Sequence, residues 1–378
     1  MKVIHLRKRN QSRLLAPWRR EAPDFGEHEN PEALAGAMAG LGLQPAVYHV
    51  VSRVVDRRMV LGSEEKEVFV KFMREYEAFC QVRVLTHCVM SNHFHILVEI
   101  PAPPKDRGRS WSDERFLEHV SRRYKGEALR QIASELAELR GRGDGGAAEA
   151  YRDKFFARMW NLAAFMHDLK MRFARWFNRR HGRDGHLWSA KFRSVLVENG
   201  LAARIVGAYF DLNPVRAGMA ADPADYRWSG YGEAVAGVRR AREGIRLLVF
   251  GHGAATGGLE ASARRASGKW SRAAAEYRKY LYEDGAESET DARKGRKGIP
   301  KAEAAKVLAE GGGMSLAQTL RRRVRHFTEG GAVGGKGFLE SVFALGKAEG
   351  RFGRKRKTGA RRIRGGPAQL HSLRDLKN

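Results

Sequence analysis

The sequence predicts an α+β fold in which helices pack on an antiparallel sheet. Between residues 46 and 198, segments rich in β-branched and aromatic residues alternate with segments of helical periodicity, in the order strand, helix, strand, strand, helix, strand. This order is the split βαβ arrangement of a ferredoxin-like domain. Lysine and arginine are abundant in the segments before and after it. We therefore expect a basic N-terminal arm and a basic, helical C-terminal extension around a central α+β domain.

The first half of the predicted domain holds a strand, a helix and a hairpin. Residues 46–53 (AVYHVVSR) have the composition of a strand. Residues 63–80 begin with the serine and glutamate of a helix start and place apolar side chains at helical spacing. Strands at 82–90 and 93–100 follow, joined at Ser91-Asn92. Because asparagine tolerates the left-handed backbone of a tight turn, these two strands are predicted to form a hairpin.

The second half of the predicted domain begins after an insertion. Residues 102–158 are charged, partly helical and broken by glycines, which sets them apart from the rest of the domain. The segment 159–181 carries one apolar stripe at three-and-four spacing, which predicts an amphipathic helix. Residues 192–198 read as the last strand, and residues 201–212 as a helix that ends at Asn213-Pro214.

The charge of the chain points to a polyanionic partner. Its 378 residues include 70 Lys and Arg against 43 Asp and Glu, which gives a formal net charge of +27. Such an excess repels itself in a compact protein, and nucleic acid is its commonest partner. The sequence shows no apolar stretch that could span a bilayer and no apolar secretory signal, so we expect no membrane partner. Two cysteines are too few for a disulfide framework, which favours the cytoplasm and, with the charge, the nucleoid.

Changes in composition divide the chain into four predicted parts. Residues 1–44 form a basic arm and linker, and residues 45–237 form the α+β domain with its insertion at 102–158. Residues 238–299 read as a linker because they are rich in Arg, Ala and Gly. Residues 300–378 form the C-terminal extension, with two short helices predicted at 301–310 and 316–328, followed by a Gly-rich turn and the apolar segment 338–345. Its Arg- and Lys-rich tail, residues 351–364, is predicted to bind phosphates electrostatically.

The candidate chemistry lies at His93-Phe94-His95, within the second hairpin strand. Side chains alternate along a strand, so both imidazoles project from one face and Phe94 from the other. Two imidazoles on one rigid strand can hold a cation. An isolated His-x-His is more often a pair of polar residues on a solvated strand face.

The surroundings of the histidines favour the cation site. The segment MSNHFHILVE resembles the HUH motif (His-hydrophobe-His) of the single-tyrosine, insertion-sequence-200-like transposases, and particularly of the REP-associated tyrosine transposases. The similarity continues in order along the chain, over about residues 46–235 with 102–158 as an insertion. It includes YHVVSR at the first strand, RWFNRRHGRDGHLWSAKFRSVLVE at 175–198 and YFDLNPVRAGMAADPADYRWSGY at 209–231.

This resemblance implies an HUH nuclease domain that cleaves and rejoins single-stranded or hairpin DNA. In such proteins the two histidines and a third polar side chain hold a divalent metal, Mg or Mn, which acts as a Lewis acid on the scissile phosphate. A tyrosine attacks the phosphorus and leaves a covalent phosphotyrosine and a free 3′-hydroxyl. By the same resemblance Asn178 is a candidate third ligand. Asn178 also suits a helix-end residue.

The nucleophilic tyrosine is expected on the 159–181 helix, five residues before Asn178, where this sequence has Phe173. Phenylalanine keeps the packing and lacks the attacking oxygen. Three explanations remain open. Tyr151 or Tyr124 could serve instead, although ordinary packing explains both; a metal-activated water could hydrolyse the phosphodiester; or the chain is a catalytically inactive, domesticated DNA-binding or regulatory protein. RNA binding is a further alternative, because hairpin shape and basic charge do not separate RNA from DNA.

A group of basic side chains is predicted to hold the DNA backbone near the histidines. Contacts of this kind position a nucleic acid and do not read its sequence. Trp228 and Tyr231 are interpreted mainly as core aromatics, with base stacking as the alternative. Monomer and homodimer both remain open. The predicted DNA contacts are Arg175, Arg179, Arg180, His181, Arg193 and Arg216.

Overall fold

The computed structural model describes residues 45–251, 270–285, 332–348, 360–362 and 370–372. The predicted arm at 1–44, the helices predicted at 301–310 and 316–328, and most of the basic tail lie outside the described residues. No helix in the described ranges combines the length and apolar character that a membrane crossing needs.

Four antiparallel strands form the centre of the structure, in the spatial order β2-β3-β1-β4. The register pairs Arg53 with His93 between β1 and β3, and Arg193 with Val51 between β4 and β1. The ends of these strands therefore meet at one end of the sheet. This order confirms the predicted α+β, ferredoxin-like arrangement. The strands are β1 (Ala46–Arg53), β2 (Arg83–Val89), β3 (His93–Ile100) and β4 (Arg193–Val197).

Helices cover both faces of this sheet. The helices up to the start of β4 are α1 (Ser63–Phe79), α2 (Asp113–Val120), α3 (Gly126–Gly141), α4 (Gly145–Phe156) and α5 (Leu162–Arg180). Those that follow β4 are α6 (Leu201–Asp211), α7 (Asn213–Arg216), α8 (Gly230–Val235), α9 (Arg239–Phe250), α10 (Trp270–Gly285) and α11 (Lys336–Ala348).

Strand alternation divides the core into two layers. Phe94, Ile96 and Val98 of β3 face α1 and α5 in one apolar cluster. Leu97 of β3 lies in the second cluster, with side chains of α6, α8, α9 and α10. We call these the α5 layer and the α6 layer. The insertion supplies α2, α3 and α4, and its Phe116 packs in the α5 layer. The hairpin turn forms at Ser91-Asn92 as predicted, although Asn92 does not adopt a positive φ.

Two predicted boundaries need correction. The segment 238–299, interpreted as a linker, contains α9 and α10, whose buried Ile245 and Tyr277 join the α6 layer. Arginine between these apolar residues hides their helical spacing. The extension at 300–378 is not purely helical, because β5 (Ala332–Gly334) adds to the sheet, parallel to β4. The short strands β7 (His371–Ser372) and β6 (Arg361–Arg362) follow it in the sheet. The apolar segment 338–345, for which no element was predicted, lies in α11.

A glycine fixes the distance between α9 and the edge strand β2. A Cβ at Gly244 would lie 2.2 Å from the Leu85 carbonyl oxygen and 2.8 Å from its carbon. Backbone atoms cannot move aside as a flexible side chain does, so we expect Gly244→Ala to lower the free energy of unfolding by about 2 kcal/mol or more. Thermal unfolding followed by circular dichroism measures this loss.

Gly141→Ala is the matched control, because its added Cβ meets nothing within 4 Å. Alanine is also the better helix former, so we expect this control to be neutral or slightly stabilising. Equal melting temperatures for the Gly244 variant and the natural protein would show that α9 does not pack against β2 in this way.

Candidate metal and nucleic-acid site

His93 and His95 project together from β3 into the α6 layer. Their ring centroids are 5.1 Å apart. Phe94 points the other way, where its ring packs against Phe69 and Trp188. His95 is buried and His93 is half-buried. The strand therefore presents two adjacent imidazoles on one face, with His93 nearer to solvent.

The hydrogen bonds of Asn92 determine which nitrogen of His93 carries a proton. Asn92 Nδ2 donates to the Arg57 carbonyl oxygen at 3.0 Å. Since a carbonyl only accepts, the other amide atom is the oxygen, which lies 2.6 Å from His93 Nδ1. His93 Nδ1 must then donate, and the proton resides on that nitrogen. The lone pair of Nε2 is left for a cation.

His95 is oriented by a third histidine. His49 Nε2 on β1 lies 3.0 Å from His95 Nδ1. The ring of Phe210 on α6 stacks on His95, with centroids 5.0 Å apart. Sequence reasoning did not single out His49, which strand alternation places on the histidine face. The contact occupies His95 Nδ1 and leaves Nε2 as its second nitrogen.

Burial keeps both imidazoles of β3 uncharged. Desolvation and the nearby Arg53 guanidinium lower the pKa of His93 to about 4. Desolvation, with smaller effects of His93 and His49, lowers the pKa of His95 well below its usual value. Neutral imidazoles are the form that binds metals, so both side chains are in the state that a metal ligand needs.

Tyr209 is the tyrosine that the fold brings to the histidines. It lies on α6, which crosses the histidine face, and its ring centroid is 6.2 Å from that of His95. The side chain is half-buried. Arg216, one short helix further on, places its guanidinium carbon 5.0 Å from the centre of the Tyr209 ring. A phenol, two imidazoles and a guanidinium thus converge on one side of the sheet.

A buried carboxylate fixes α6 beside the sheet. Asp211 accepts hydrogen bonds from Thr86 Oγ1 on β2 at 3.0 Å, from Tyr277 Oη on α10 at 2.7 Å and from the Tyr231 backbone NH at 3.1 Å. Desolvation raises the pKa of Asp211 to about 6, and these hydrogen bonds oppose the rise. Three elements therefore hold the residue two positions after Tyr209, which fixes the face that α6 presents to β3.

The donor set fits a divalent cation only in part. In the described ranges, no three His, Cys, Asp or Glu side chains are grouped as a metal site. Two imidazole Nε2 atoms are available, and an amide can supply a third ligand. Asn213 follows Tyr209 by one helical turn, and its buried Nδ2 has no hydrogen-bond partner in the described part of the chain. The amide of Asn213 thus shares a side of this helical segment with Tyr209.

A family model matches the segment of the chain that holds the histidine pair. Residues 44–106, which include β1, α1, β2 and β3, match the family model described as "Transposase IS200 like". This segment is therefore similar to the IS200-like transposases. A solved structure described as a REP-associated tyrosine transposase bound to a REP hairpin aligns at 13% identity, covering 51% of this chain and 80% of that one, with a TM-score of 0.28. No curated protein matches the chain.

The site residues predicted on α5 do not reach the histidine pair. Phe173 is buried in the α5 layer, where it packs edge-to-face against Phe69 at 5.2 Å. The sheet separates that layer from His93 and His95. Phe173, which the resemblance placed at the position of the attacking tyrosine, is therefore not brought to the histidine pair. Asn178 lies on the same helix, and its Nδ2 donates to the Gly185 carbonyl at 2.9 Å. This bond lies near the end of α5, and Asn178 is not brought to the histidine pair.

The two substitute tyrosines are also remote from the histidines. Tyr124 packs against Phe79, the last residue of α1, with ring centroids 5.8 Å apart. The first residues of α1 adjoin the histidine end of the sheet, and a helix of 17 residues spans roughly 25 Å. Tyr151 packs against Phe155 within the insertion. Both tyrosines therefore belong to the aromatic core of the insertion.

The predicted DNA contacts divide between the two layers. Arg193 is exposed on the histidine face at the start of β4, and Arg216 lies beside Tyr209. Arg180 forms an ion pair with Glu64 at 3.2 Å, and His181 Nε2 lies 3.0 Å from Glu65 Oε1, both across the α5 layer. These two pairs sit at the histidine end of the domain but behind the sheet.

Two further predicted contacts and one new residue complete the basic surface. Arg175 and Arg179 are exposed on α5. Arg53, which sequence reasoning did not single out, is exposed on the histidine face opposite His93. Of the two aromatics considered for stacking, Tyr231 is buried in the core, and half-buried Trp228 donates to Glu67 at 3.2 Å.

Proposed function

We propose that this chain is a transposase that cleaves and rejoins single-stranded or hairpin DNA, with Tyr209 as its nucleophile and His93 and His95 as ligands of a divalent metal. The observation that carries the proposal is the placement of a half-buried tyrosine against the histidine pair, on the same face of the sheet. Each side chain has the chemistry its role requires: an attackable oxygen on one helix and two neutral imidazoles on one strand.

The proposed reaction conserves the energy of the phosphodiester. The Tyr209 oxygen attacks the phosphorus in line with the bond to the 3′ oxygen. The new phosphorus–tyrosine bond forms as the phosphorus–3′-oxygen bond breaks; the phenol loses its proton and the leaving 3′ oxygen gains one. Attack by a 3′-hydroxyl on the phosphotyrosine reverses these steps and joins strands. When bound, Mg or Mn supplies Lewis-acid stabilisation of the charge that develops on the phosphate.

Three side chains of this chain would hold that metal. His93 and His95 would bind through Nε2, with Asn92 and His49 each engaging the Nδ1 of one ring, as outer-shell partners of metal-bound histidines do. Asn213 would supply an amide oxygen after rotation of its side-chain amide, whose two ends look alike in most structures. Imidazole ligands favour Mn over the harder Mg.

The charge distribution supports DNA as the substrate. Arg53 and Arg193 flank the histidines on their solvent side, where a strand of DNA must pass to bring a phosphate to Tyr209. The net charge of +27 supplies the long-range attraction. Arg175 and Arg179 would contact further phosphates of the DNA at the same end of the domain. We attribute the same electrostatic role to the basic arm at 1–44 and the tail at 351–364.

An oligonucleotide assay tests this function. The full chain is incubated with end-labelled hairpin DNA carrying single-stranded flanks, in Mn or Mg, and the products are separated under denaturing conditions. We expect a labelled protein–DNA adduct and a fragment with a free 3′-hydroxyl. Cleaved ends without any adduct would indicate a water nucleophile. Tight binding without cleavage would support a regulatory DNA-binding protein, and equal binding of a matched RNA hairpin would support an RNA partner.

A further inference from the structure

A short protrusion stands beside the histidine pair between β1 and α1. Its residues, Asp56, Arg57, Arg58 and Met59, are all exposed. Met59 is 75% exposed, more than any other large apolar side chain in the described ranges. We call residues 56–59 the β1–α1 finger. An exposed apolar side chain directly after two exposed arginines suits a partner that has both negative charge and an apolar surface.

The backbone of the finger is held in an unusual conformation. Asp56 and Arg57 adopt positive φ angles of 56° and 57° in succession. Side-chain-bearing residues reach this region at a cost of order 1 kcal/mol or more each, and such strain concentrates where a side chain must be presented. The Val55 NH donates to the Leu187 carbonyl at 2.9 Å and the Leu61 NH to the Ser91 carbonyl at 2.9 Å. Both ends of the finger are therefore anchored.

The finger is joined directly to the candidate metal ligand. The amide of Asn92 bonds the Arg57 carbonyl with one end and His93 Nδ1 with the other. The Val54 NH, at the base of the finger, also donates to the Asn92 carbonyl at 2.9 Å. Arg53 lies on the last residue of β1, a few positions before the finger. A nucleic acid whose phosphate reaches His93 thus passes the finger.

We propose that the β1–α1 finger binds the single-stranded DNA next to the cleavage point, with Arg57 and Arg58 on its phosphates and Met59 against the face of an unpaired base. The inference rests on the proposed function and adds to it the part of the substrate that is recognised. Phosphates satisfy the two guanidinium groups, and an exposed base offers the apolar surface that Met59 lacks. Inside a duplex, neighbouring base pairs cover both faces of each base, so the finger selects unpaired flanks.

Binding measurements on the full chain test the finger. Anisotropy titrations compare a hairpin with a single-stranded flank against the same hairpin with a blunt end. The double variant Arg57→Asn, Arg58→Ala is used because asparagine tolerates the left-handed backbone of residue 57. We expect its affinity for the flanked hairpin to depend less on salt, with the slope of log K against log salt smaller by about 1.4 for two lost single-strand phosphate contacts.

The Met59→Ala variant isolates the apolar contact. We expect it to weaken binding of the flanked hairpin by roughly three- to tenfold, somewhat below the range found for aromatic stacking. Binding of the blunt hairpin should be unchanged. A 2-aminopurine in the flank should also lose its fluorescence response. The matched controls are Met171→Ala, an exposed methionine on α5, and the pair Arg130→Ala on α3 and Arg142→Ala directly after it.

The outcomes separate this inference from the proposed function. If the natural protein forms the adduct while both finger variants bind the flanked hairpin as it does, the finger inference is overturned and the transposase proposal stands. If the natural protein forms no adduct but the finger variants lose flank binding, the finger stands as a DNA contact and the nuclease proposal fails. Equal losses in the control variants would also overturn the inference, because the effect would then reflect general charge or packing.

Discussion

Tyr209→Phe is expected to remove the protein–DNA adduct completely while leaving hairpin affinity within about threefold of the natural value. The substitution deletes one oxygen, and the remaining ring still packs beside His95 and Arg216. Without a nucleophilic oxygen there is no covalent intermediate, whereas the DNA contacts remain. Denaturing gels with end-labelled hairpin measure the adduct, and anisotropy measures the affinity.

Tyr124→Phe and Tyr151→Phe serve as the controls for this prediction. Both tyrosines pack within the insertion, far from the histidine end of the sheet, so both variants should form the adduct at the natural rate. An adduct that persists in Tyr209→Phe would contradict the assignment. If the adduct is lost in either control instead, the nucleophile is that tyrosine of the insertion and the proposed site is wrong.

His95→Ala is expected to reduce metal-dependent cleavage by about a thousandfold or more and to weaken Mn binding. Loss of a metal's Lewis-acid stabilisation raises the activation free energy by several kcal/mol, which corresponds to a rate reduction of this size. Cleavage rates at saturating DNA give the first quantity, and titration followed by the Mn electron paramagnetic resonance signal gives the second. Tyr209 is intact in this variant, so the loss separates the metal's contribution from that of the nucleophile.

Two further variants, with a folding criterion, control for misfolding of the His95→Ala variant. His95 is buried, so its variant is accepted only if its melting transition remains cooperative; His93→Ala, at a half-buried position, should reproduce both losses. His167→Ala removes an exposed histidine of α5 and should leave cleavage and Mn binding unchanged. Natural Mn affinity in both histidine variants would show that the pair does not hold the metal.

Local patterns predicted the sheet and the histidine pair well. The hairpin at Ser91-Asn92 and the alternation of His93, Phe94 and His95 depend on the strand period of two, a property of the backbone that any sequence must obey. The antiparallel order of the four strands followed from the order of strands and helices along the chain. These features need no knowledge of distant contacts, and the structure agrees with them.

The proposed nucleophile, Tyr209, could not be placed in this way. Two helices carry aromatic residues near an asparagine, α5 with Phe173 and α6 with Tyr209, and the sequence does not say which layer each covers. Only the packed structure puts Phe173 on the Phe94 side and Tyr209 on the His95 side. The available signal was the position of Tyr209 in the helix after the last strand, four residues before Asn213.

The helices in the supposed linker were missed for a related reason. In α9, arginines separate the few apolar residues, so the composition indicates a solvated segment although Ile245 and Leu248 are buried. The partners of α10 are equally distant in sequence, since Tyr277 bonds Asp211 from 66 residues away. Long-range contacts of this kind stabilise helices that local propensity does not predict.

Peptide mapping of the covalent adduct tests the central claim most directly. Trypsin cleavage after Arg204 and Arg216 releases the peptide IVGAYFDLNPVR, whose one tyrosine is Tyr209. After reaction with a flanked DNA hairpin in Mn and nuclease trimming, mass spectrometry should find the nucleotide mass on this peptide and on that residue. A nucleotide on any other tyrosine, with this peptide recovered unmodified, would contradict a reaction centre built from α6 and the histidine strand.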